Sequence, residues 1–215
     1  MAKEGLPFVL IPAIAALLLA FLGWWIAALL LAALAAFMAF FFRDPYRESP
    51  EGDGLIVSAA DGKVTRIEEN ELGKVVSVFL SPIDVHINRS PIAGTVTKVN
   101  YVKGKKMPAT SNDASHLNER NSLTLTNGDL TVVVTQIAGI VARRIVCWAK
   151  EGDELARGER FGLIKFSSRT DLLLPANVEL AVNIGDRVVG GVTIIGRLAE
   201  TAANAEAPAN AEARA

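Results

Sequence analysis

The longest feature of the sequence is an apolar run without a charged residue, which extends from Gly5 to Phe42. Leu, Ala, Phe, Ile and Trp dominate its 38 positions. A single transmembrane helix needs about 20 apolar residues, so this run is nearly long enough for two. We therefore predict that the N-terminal fifth of the chain, which is unlike the rest in composition, anchors it in a membrane.

The middle of the apolar run carries signals for a turn at a membrane boundary. Gly23 permits a sharp bend, and Trp24 and Trp25 belong to a residue type that prefers the membrane–water interface. We predict two short helices that form a transmembrane hairpin within a membrane anchor of residues 1–43. The first arm is short and contains two prolines, so a single tilted span and a shallow re-entrant hairpin are the alternatives.

Basic residues at the two ends of the run indicate its orientation. In a hairpin, Lys3, Arg43 and Arg47 all lie on one side, and positive charge favours the cytoplasmic side. This predicts a domain on the cytoplasmic face of the inner (cell) membrane. A cleaved signal peptide is disfavoured, because the run is too long for its apolar core and is followed by "FFFRDPYR" rather than by a small-residue cleavage site.

Beyond a polar linker at 44–54, the pattern changes to short segments with strand character. They are rich in Val, Ile and Thr, are separated by Gly, Asp and Asn, and predict a β-rich domain at 55–199. The "TNGD" at 126–129 is a hairpin-turn signal. Residues 200–215 lack large apolar side chains, which predicts a disordered tail.

A weak repeat runs through the β-rich part in "DGKVTRIEENELGK", "AGTVTKVNYVKGKK" and "AGIVARRIVCWAKEGDELARGE". Each copy has a Gly, one residue, a Val, a strand and a second Gly. This cadence resembles the barrel-sandwich modules of lipoyl- and biotin-carrier proteins, with glycines at the corners. The predicted fold is therefore mainly β and barrel-sandwich-like, with an N-terminal transmembrane helical hairpin. A membrane-tethered, non-catalytic adaptor is one functional alternative for such a module.

Charge and composition narrow the functions that the chain can perform. A net charge of −1 provides no field that would recruit nucleic acid. The single cysteine, Cys147, excludes an intrachain disulfide and a Cys-rich zinc site, and it is predicted to be a small buried apolar residue. Two histidines, His86 and His116, leave little material for a metal cluster. Neither a metal nor a nucleic-acid partner is expected.

The segment "LSPIDVHINRSP" at 80–91 contains a candidate acid–base pair. Asp84 and His86 are two residues apart, so both side chains lie on one face of a strand. A carboxylate beside an imidazole can hold its tautomer and raise its basicity, which makes a general base. On spacing alone, an ordinary polar pair on a sheet surface is the alternative.

Two adjacent serines in "KFSSRTD" at 165–171 interrupt what would otherwise be one continuous strand between "RGERFGLI" and "LLLP". The motifs "SAADGKV", "LSPIDVHINRSPIAGTV", "YVKGK", "NERN" and "RGERFGLIKFSSRTDLLLP" occur in this order. Together they resemble the phosphatidylserine decarboxylases of the short bacterial and archaeal type. The hydrophobic N-terminus that ends in "FFFRDPYR" is also similar, so the resemblance extends from the membrane segment to about Leu174.

The resemblance implies an inactive precursor that cuts itself between Ser167 and Ser168. The products would be a β chain of 1–167 and an associated α chain that begins at Ser168, whose serine becomes a pyruvoyl cofactor. The family has glycine where this chain has Ser167. Because a serine adopts strained backbone angles less readily than glycine does, we expect slower cleavage, and a precursor that stays intact is the alternative.

The resemblance also assigns roles to polar residues. His86 is similar to the family's base for the Ser168 hydroxyl, and its orienting acid would be either Asp84 or Asp61. A plain Asp-Gly turn is the alternative for Asp61. The "NERN" motif supplies residues that would shape the site: Asn118, Glu119 and Arg120.

The activity implied by the resemblance is decarboxylation of phosphatidylserine to phosphatidylethanolamine in phospholipid biosynthesis. A pyruvoyl ketone acts there as an electron sink, the role that pyridoxal phosphate has elsewhere. A related serine phospholipid such as archaetidylserine is an alternative substrate, since its head-group chemistry is identical. The anchor would hold the site at the bilayer that contains phosphatidylserine, and a homo-oligomer is left open.

Overall fold

The chain folds into an apolar helical hairpin followed by a β domain of three sheets. The structure is a computed structural model, and it describes residues 1–105, 107–108, 114–128, 130–139, 144–165 and 168–199. The tail predicted at 200–215 lies outside the described residues.

The hairpin consists of α1 (Leu6–Phe21) and α2 (Trp25–Phe41), after a 3-10 turn at Lys3–Gly5. Gly23 joins the helices at a φ of 80°, a left-handed conformation that costs glycine little. Small side chains are buried along the hairpin, and large apolar side chains point outward. The buried ones are Ala16, Ala28 and Ala35, and the outward ones include Ile11, Leu17, Leu18, Ile26, Leu29 and Leu30. The predicted helical hairpin is confirmed.

The first arm has the length of a membrane span. Lys3–Phe21 is a 19-residue helical stretch with a mean hydropathy of 2.1, long and apolar enough to cross a bilayer. The 17 residues of α2 span about 26 Å at 1.5 Å per residue, slightly less than a hydrocarbon core of about 30 Å. Two passes through the membrane therefore stay a prediction, supported by the continuous apolar surface.

The β domain contains fourteen strands and one short helix within the described residues, which confirms the mainly β prediction. In chain order they are β1 (Leu55–Val57), β2 (Gly62–Asn70), β3 (Gly73–Leu80), β4 (Ile87–Arg89), β5 (Gly94–Val102), α3 (Ala114–Leu117), β6 (Arg120–Asn127), β7 (Leu130–Ala138), β8 (Arg144–Cys147), β9 (Glu154–Leu155), β10 (Arg160–Lys165), β11 (Ser168–Leu174), β12 (Val178–Leu180), β13 (Arg187–Val188) and β14 (Ile194–Leu198).

The strands form one large sheet and two small ones. The large sheet is antiparallel, has the order β13-β2-β3-β11-β7-β6-β5-β9 and curls into a half-barrel. The small sheets have the orders β1-β14-β12 and β4-β10-β8. Alternate residues of the large sheet bury their side chains, as period-2 patterning requires. Fully buried examples are Val76 on β3, Leu123 and Leu125 on β6, and Val132 and Val134 on β7.

The double serine lies where the chain changes sheets. β10 pairs with β4 and β8 in a small sheet, whereas β11 lies between β3 and β7 near the middle of the large one. Residues 166 and 167, which connect the two strands, are outside the described part of the chain. The interruption noticed in the sequence therefore separates two strands of different sheets, and Ser168 is the first residue of the second.

The segment 44–54 lies against the β domain and is held by arginine side chains. Arg89 donates to the carbonyl oxygen of Pro45 at 2.9 Å, and Arg157 donates to that of Gly52 at 2.8 Å. Hydrogen bonds from buried charged donors are stronger than neutral ones. The exit of the hairpin is therefore fixed relative to the sheets, while the predicted domain boundaries stay predictions.

The base of the hairpin packs onto the β domain. The backbone nitrogen of Ala2 donates to the carbonyl of Phe42 at 3.0 Å, and the Trp148 indole donates to Glu4 at 2.8 Å. A Cβ on Gly5 would lie 2.5 Å from the Cβ of Phe42, so only glycine fits there. Hairpin and domain share one apolar cluster, formed by Ala2, Phe41, Phe42, Val85, Ile87 and Leu163.

Candidate active site

Ser168 begins the central strand β11 and is fully buried. Its backbone pairs with Leu80 of β3 on one side and with Ala138 of β7 on the other. The Oγ atom is buried, and no hydrogen-bond partner for it exists among the described residues. A buried hydroxyl without a partner costs about 1–3 kcal/mol, so Ser168 remains a candidate reactive residue. Ser167 lies outside the described residues.

His86 immediately precedes β4 and is 2% exposed. Its Nδ1 lies 2.9 Å from the backbone carbonyl oxygen of Asp84. A carbonyl only accepts hydrogen bonds, so Nδ1 carries the proton and Nε2 of the neutral ring keeps its lone pair. This Nε2 is buried and has no partner within the described part of the chain. The ring is thus held in the tautomer that a general base requires.

The surroundings of His86 keep its ring neutral. Burial lowers the pKa of the imidazole from 6.5 to about 4, and the carbonyl and charge of Asp84 oppose this shift only in part. The ring of Phe41 contributes to the burial, because its centroid lies 4.2 Å from that of the imidazole. At neutral pH, His86 is therefore an uncharged proton acceptor.

The carboxylate of Asp84 is bound away from the imidazole. One oxygen of Asp84 accepts from the backbone nitrogen and the hydroxyl of Ser81 at 2.8 and 2.5 Å. The other accepts from Arg187 at 3.1 Å. His86 donates its hydrogen bond to the backbone carbonyl of Asp84, so the carboxylate of Asp84 acts on the ring only through its charge.

Asp61 forms a buried ion pair beside the site. Arg47 donates to both of its oxygens, at 2.5 and 2.7 Å, and the backbone nitrogen of Gly190 donates at 2.9 Å. The following Gly62 allows a close crossing, since a Cβ there would lie 2.0 Å from the carbonyl oxygen of Phe79. The charge of Asp61 acts on His86 without a direct hydrogen bond, and the Asp-Gly step also shapes the backbone.

A buried amide network connects the strand of His86 with that of Ser168. Asn88 of β4 donates to the hydroxyl of Thr170 on β11 at 3.0 Å, and Gln136 of β7 donates to Asn88 at 2.9 Å. His86 lies two residues before Asn88, and Ser168 lies two residues before Thr170. Alternate residues of a strand share a face, so both side chains are directed toward the space between β4 and β11.

The "NERN" residues lie one strand away from Ser168. Asn118 donates to the carbonyl of Ala138, the residue paired with Ser168, at 2.8 Å. The backbone nitrogen of Ala138 in turn donates to the carbonyl of Glu119 at 3.0 Å. These bonds hold the end of β7 against Ser168, while Arg120 begins β6. The side chain of His116 lies outside the described part of the structure.

The opposite face of β11 carries an ionic cluster that the sequence did not reveal. Arg169 binds Asp171 at 2.9 Å, and the Ser115 hydroxyl donates to Asp171 at 3.0 Å. Arg66 of β2 lies 3.5 Å from the same carboxylate. These contacts hold the first residues of β11 in place from the side away from His86.

Other features of the sequence contribute less to the site. No group of three or more His, Cys, Asp or Glu side chains suited to a metal occurs in the described ranges. Cys147 is half-buried against the main core, and burial raises the pKa of its thiol. Its thiol therefore stays protonated at neutral pH.

The residues around Ser168 fit a ketone formed from that serine. The Oγ that the conversion would remove makes no hydrogen bond to the described residues, so its loss would break none there. The backbone of Ser168 is held by pairing with β3 on one side and β7 on the other. The buried His86 imidazole lies beside the end of the apolar hairpin, against Phe41.

Comparisons with known proteins identify the family. The model of the family described as phosphatidylserine decarboxylase matches residues 34–196. A phosphatidylserine decarboxylase proenzyme of Symbiobacterium thermophilum is 50% identical over 207 residues, covering 93% of this chain and 96% of the relative. The proenzyme of Solidesulfovibrio magneticus is 43% identical, with coverages of 93% and 97%. That of Saccharopolyspora erythraea is 47% identical, with coverages of 93% and 89%.

The chain therefore belongs to the phosphatidylserine decarboxylase family, whose members are carboxy-lyases. This confirms the resemblance found in the sequence motifs.

Proposed function

We propose that this protein decarboxylates phosphatidylserine to phosphatidylethanolamine, using a pyruvoyl group that it makes from Ser168. Family membership supports the reaction. One structural observation carries the mechanism: Ser168 Oγ on β11 and His86 Nε2 next to β4 both lack a partner among the described residues, and Asn88 and Thr170 join these two strands. A nucleophile and a base with this relationship are what self-cleavage requires.

Maturation begins with a proton transfer. Nε2 of His86 takes the proton from Oγ of Ser168, and Oγ attacks the carbonyl carbon of Ser167. The new C–O bond replaces the C–N bond, the amine of Ser168 leaves with the proton, and an ester joins the two parts. Loss of the Cα proton then breaks the Cβ–O bond, which frees the Ser167 carboxylate. Water hydrolyses the remaining dehydroalanine to a ketone and ammonia.

The cut chains stay associated because β11 belongs to the new α chain. It begins at Ser168 and remains paired along its length with β3 and β7 of the β chain. Removing it would expose Leu172 and Leu174, which are 1% and 0% exposed. Burying a leucine contributes about 1.5–3 kcal/mol, so these contacts favour a stable complex.

In the mature enzyme, a pyruvoyl ketone supplies the electron sink that makes loss of carbon dioxide from the serine head group feasible. His86 keeps a neutral ring whose Nε2 can hold or return a proton there. Phe41 covers the imidazole and excludes water from it. The chain thus provides a preorganised environment, from which water is excluded, for the change of charge during decarboxylation.

The hairpin supports a location at the membrane. Phe41 and Phe42 end the hairpin and contact the cluster around His86, so the site lies at the level where the hairpin enters the domain. Lys3 and Arg43 flank the apolar helices on this side, which agrees with a cytoplasmic domain. A substrate lipid would then reach the site without leaving the bilayer surface.

The test is decarboxylase activity of the full-length chain in phosphatidylserine vesicles, measured as released carbon dioxide. Ser168→Ala should abolish activity, because no ketone can form. Ser77→Ala is the matched control, since Ser77 is also fully buried and lies on the neighbouring strand β3. Activity in Ser168→Ala equal to that of Ser77→Ala would overturn the proposal.

A further inference from the structure

A cleft lined by arginines lies beside the segment that leaves the hairpin. Four guanidinium groups line it, together with the exposed side chain of Tyr46. Its volume is about 510 Å³, within the range of clefts that hold small ligands. The four arginines are Arg47, Arg89, Arg157 and Arg160.

Two of these arginines each have a side-chain nitrogen that lacks an acceptor among the described residues. Arg89 is 4% exposed and uses its Nη atoms on Gly158, Asp44 and Pro45, yet its Nε is buried without an acceptor in the described part of the chain. The Nε of Arg157 is in the same situation. A buried charged donor without an acceptor is costly, so these two guanidinium groups leave uncompensated positive potential at the cleft.

The cleft also has an excess of positive charge. The four guanidinium groups lie near three carboxylates, so the net charge at the cleft is one positive charge. Burial and the neighbouring Arg47 lower the pKa of Arg89, which agrees with incompletely compensated charge. All three carboxylates already have partners: Asp44 binds Arg89 and Arg160, Asp61 binds Arg47, and Glu159 accepts from the backbone nitrogen of Ala156.

Apart from Arg47, which pairs with Asp61, the cleft lies away from the candidate active site. Asn88 points toward Thr170 and the Ser168 strand. Arg89 is the next residue of β4, and successive strand residues point to opposite faces. The Arg89 side chain accordingly reaches the linker residues Asp44 and Pro45, which follow the hairpin after only a few positions. A ligand in the cleft would lie near the membrane surface but away from the reacting serine.

We propose that this arginine cleft binds a phosphate group, carried by an anionic phospholipid of the bilayer. Planar guanidinium groups match phosphate oxygens, and cationic groups near a membrane attract anionic lipid. The bound lipid is a second lipid, distinct from the substrate. It would fasten the linker, and with it the base of the hairpin, to the membrane surface.

Phosphatidylglycerol is the appropriate probe, because it carries a phosphate and has no serine head group to decarboxylate. The full-length chain is reconstituted in phosphatidylcholine bilayers with added phosphatidylglycerol, and native mass spectrometry counts the phosphatidylglycerol that stays bound. We expect one retained molecule in the wild type and at least about fivefold less in Arg160→Gln, whose half-exposed side chain is tolerant of change. Arg89→Lys, which keeps the charge but loses the planar guanidinium group and its bonds to Gly158, Asp44 and Pro45, should also bind less.

Lys98→Gln is the matched control, because it removes an exposed cation on β5 far from the linker. It should retain phosphatidylglycerol as the wild type does. A second arm measures the melting temperature of the detergent-solubilised chain with inorganic phosphate. Stabilisation by phosphate without retained phosphatidylglycerol would overturn the lipid source in favour of a free phosphate ion. If the wild type and Arg160→Gln retain equal amounts of phosphatidylglycerol and have equal melting temperatures with inorganic phosphate, the proposed site is wrong.

The measurement does not depend on the proposed function. Phosphatidylglycerol binding is measured whether or not Ser168 has matured, so a failure of this inference leaves the decarboxylase proposal intact, and the reverse also holds.

Discussion

The ring of Phe41, the last residue of α2, lies with its centroid 4.2 Å from that of the His86 imidazole. A residue of the apolar hairpin thereby covers the proposed base of the β domain. The hairpin is then part of the site as well as an anchor, because its docking decides how dry the imidazole is. Burial lowers the pKa of His86 to about 4, so the contact has a measurable consequence.

Replacing Phe41 with Leu should make maturation sensitive to acid. A smaller side chain admits water, and the pKa of His86 should move from about 4 toward 6.5. The wild-type rate of self-cleavage should stay level as the pH falls through 6.5, whereas the variant's rate should decline there. Phe21→Leu, at the exposed tip of the hairpin, is the control. Identical pH profiles for all three proteins would contradict the role of Phe41.

His86 should also make the stability of the fold depend on pH. Its pKa is lower in the folded than in the unfolded state, so the unfolded chain binds more protons between about pH 4 and 6.5. Stability should therefore be lost as the pH falls through this window, by up to about 3 kcal/mol. Thermal unfolding of the full-length chain in detergent measures this, on a Ser168→Ala background that keeps it uncut. Adding His86→Gln should make the stability nearly independent of pH in this window. If stability falls with pH equally with and without His86→Gln, the pKa of His86 is not lowered by folding.

Asn88 should act by positioning His86 against Ser168. Its loss breaks the bonds to Thr170 and Gln136, and small displacements of reacting groups can cost about 100-fold in rate. We expect Asn88→Ala to slow maturation by this order, while the exposed control Asn100→Ala matures normally. Thr170→Val should slow it as well, and the double variant should be no slower than Asn88→Ala. Fully additive effects would show that the two residues act independently.

The two aspartates should respond differently to neutralisation. Asp84→Asn keeps the backbone carbonyl that holds His86, so maturation should stay within about tenfold of the wild type. Asp61→Asn breaks a buried pair with Arg47, which typically costs about 3–5 kcal/mol of stability. Time courses of chain cleavage and melting temperatures separate these effects. A folded Asp84→Asn chain that never cleaves would show that its carboxylate orients the ring after all.

Ser167→Gly should mature faster than the wild type. Glycine adopts strained backbone angles at a scissile bond more readily than serine, and the attacked carbonyl is unchanged. Pulse-chase labelling of the chain during expression measures the rate of cutting. An unchanged or lower rate would mean that the serine at this position imposes no conformational cost.

The sequence predicted the elements with strong local patterns. The uncharged run predicted the hairpin and Gly23 its turn, and the segment 94–102 matches β5 as the alternation indicated. The strand expected at Asp84 and His86 was wrong in position, since β4 begins only at Ile87, and β9 was not predicted, because two or three residues show no periodicity. Their pairing depends on distant partners such as β10 and β5, which a linear pattern does not contain.

Only part of the candidate site could be predicted from the sequence, for a similar reason. His86 and Ser168 were found through motifs, and Asn88 and Thr170 stand two residues after each, so the period of a strand could have identified them. Phe41 gave no such signal, since it is one of many apolar residues in the run and contacts His86 only through the tertiary fold. The backbone carbonyl of Asp84 as the partner of the ring could not be predicted from side-chain spacing.

The intact masses of the full-length protein purified from membranes show whether Ser168 becomes a pyruvoyl group. Self-cleavage should yield two chains, a β chain that ends at residue 167 and an α chain that starts at residue 168. The α chain should be lighter by one ammonia than the peptide that begins with serine, and Edman degradation should not sequence it. A single uncut chain with an ordinary serine at 168 that still decarboxylates phosphatidylserine would rule out the pyruvoyl mechanism.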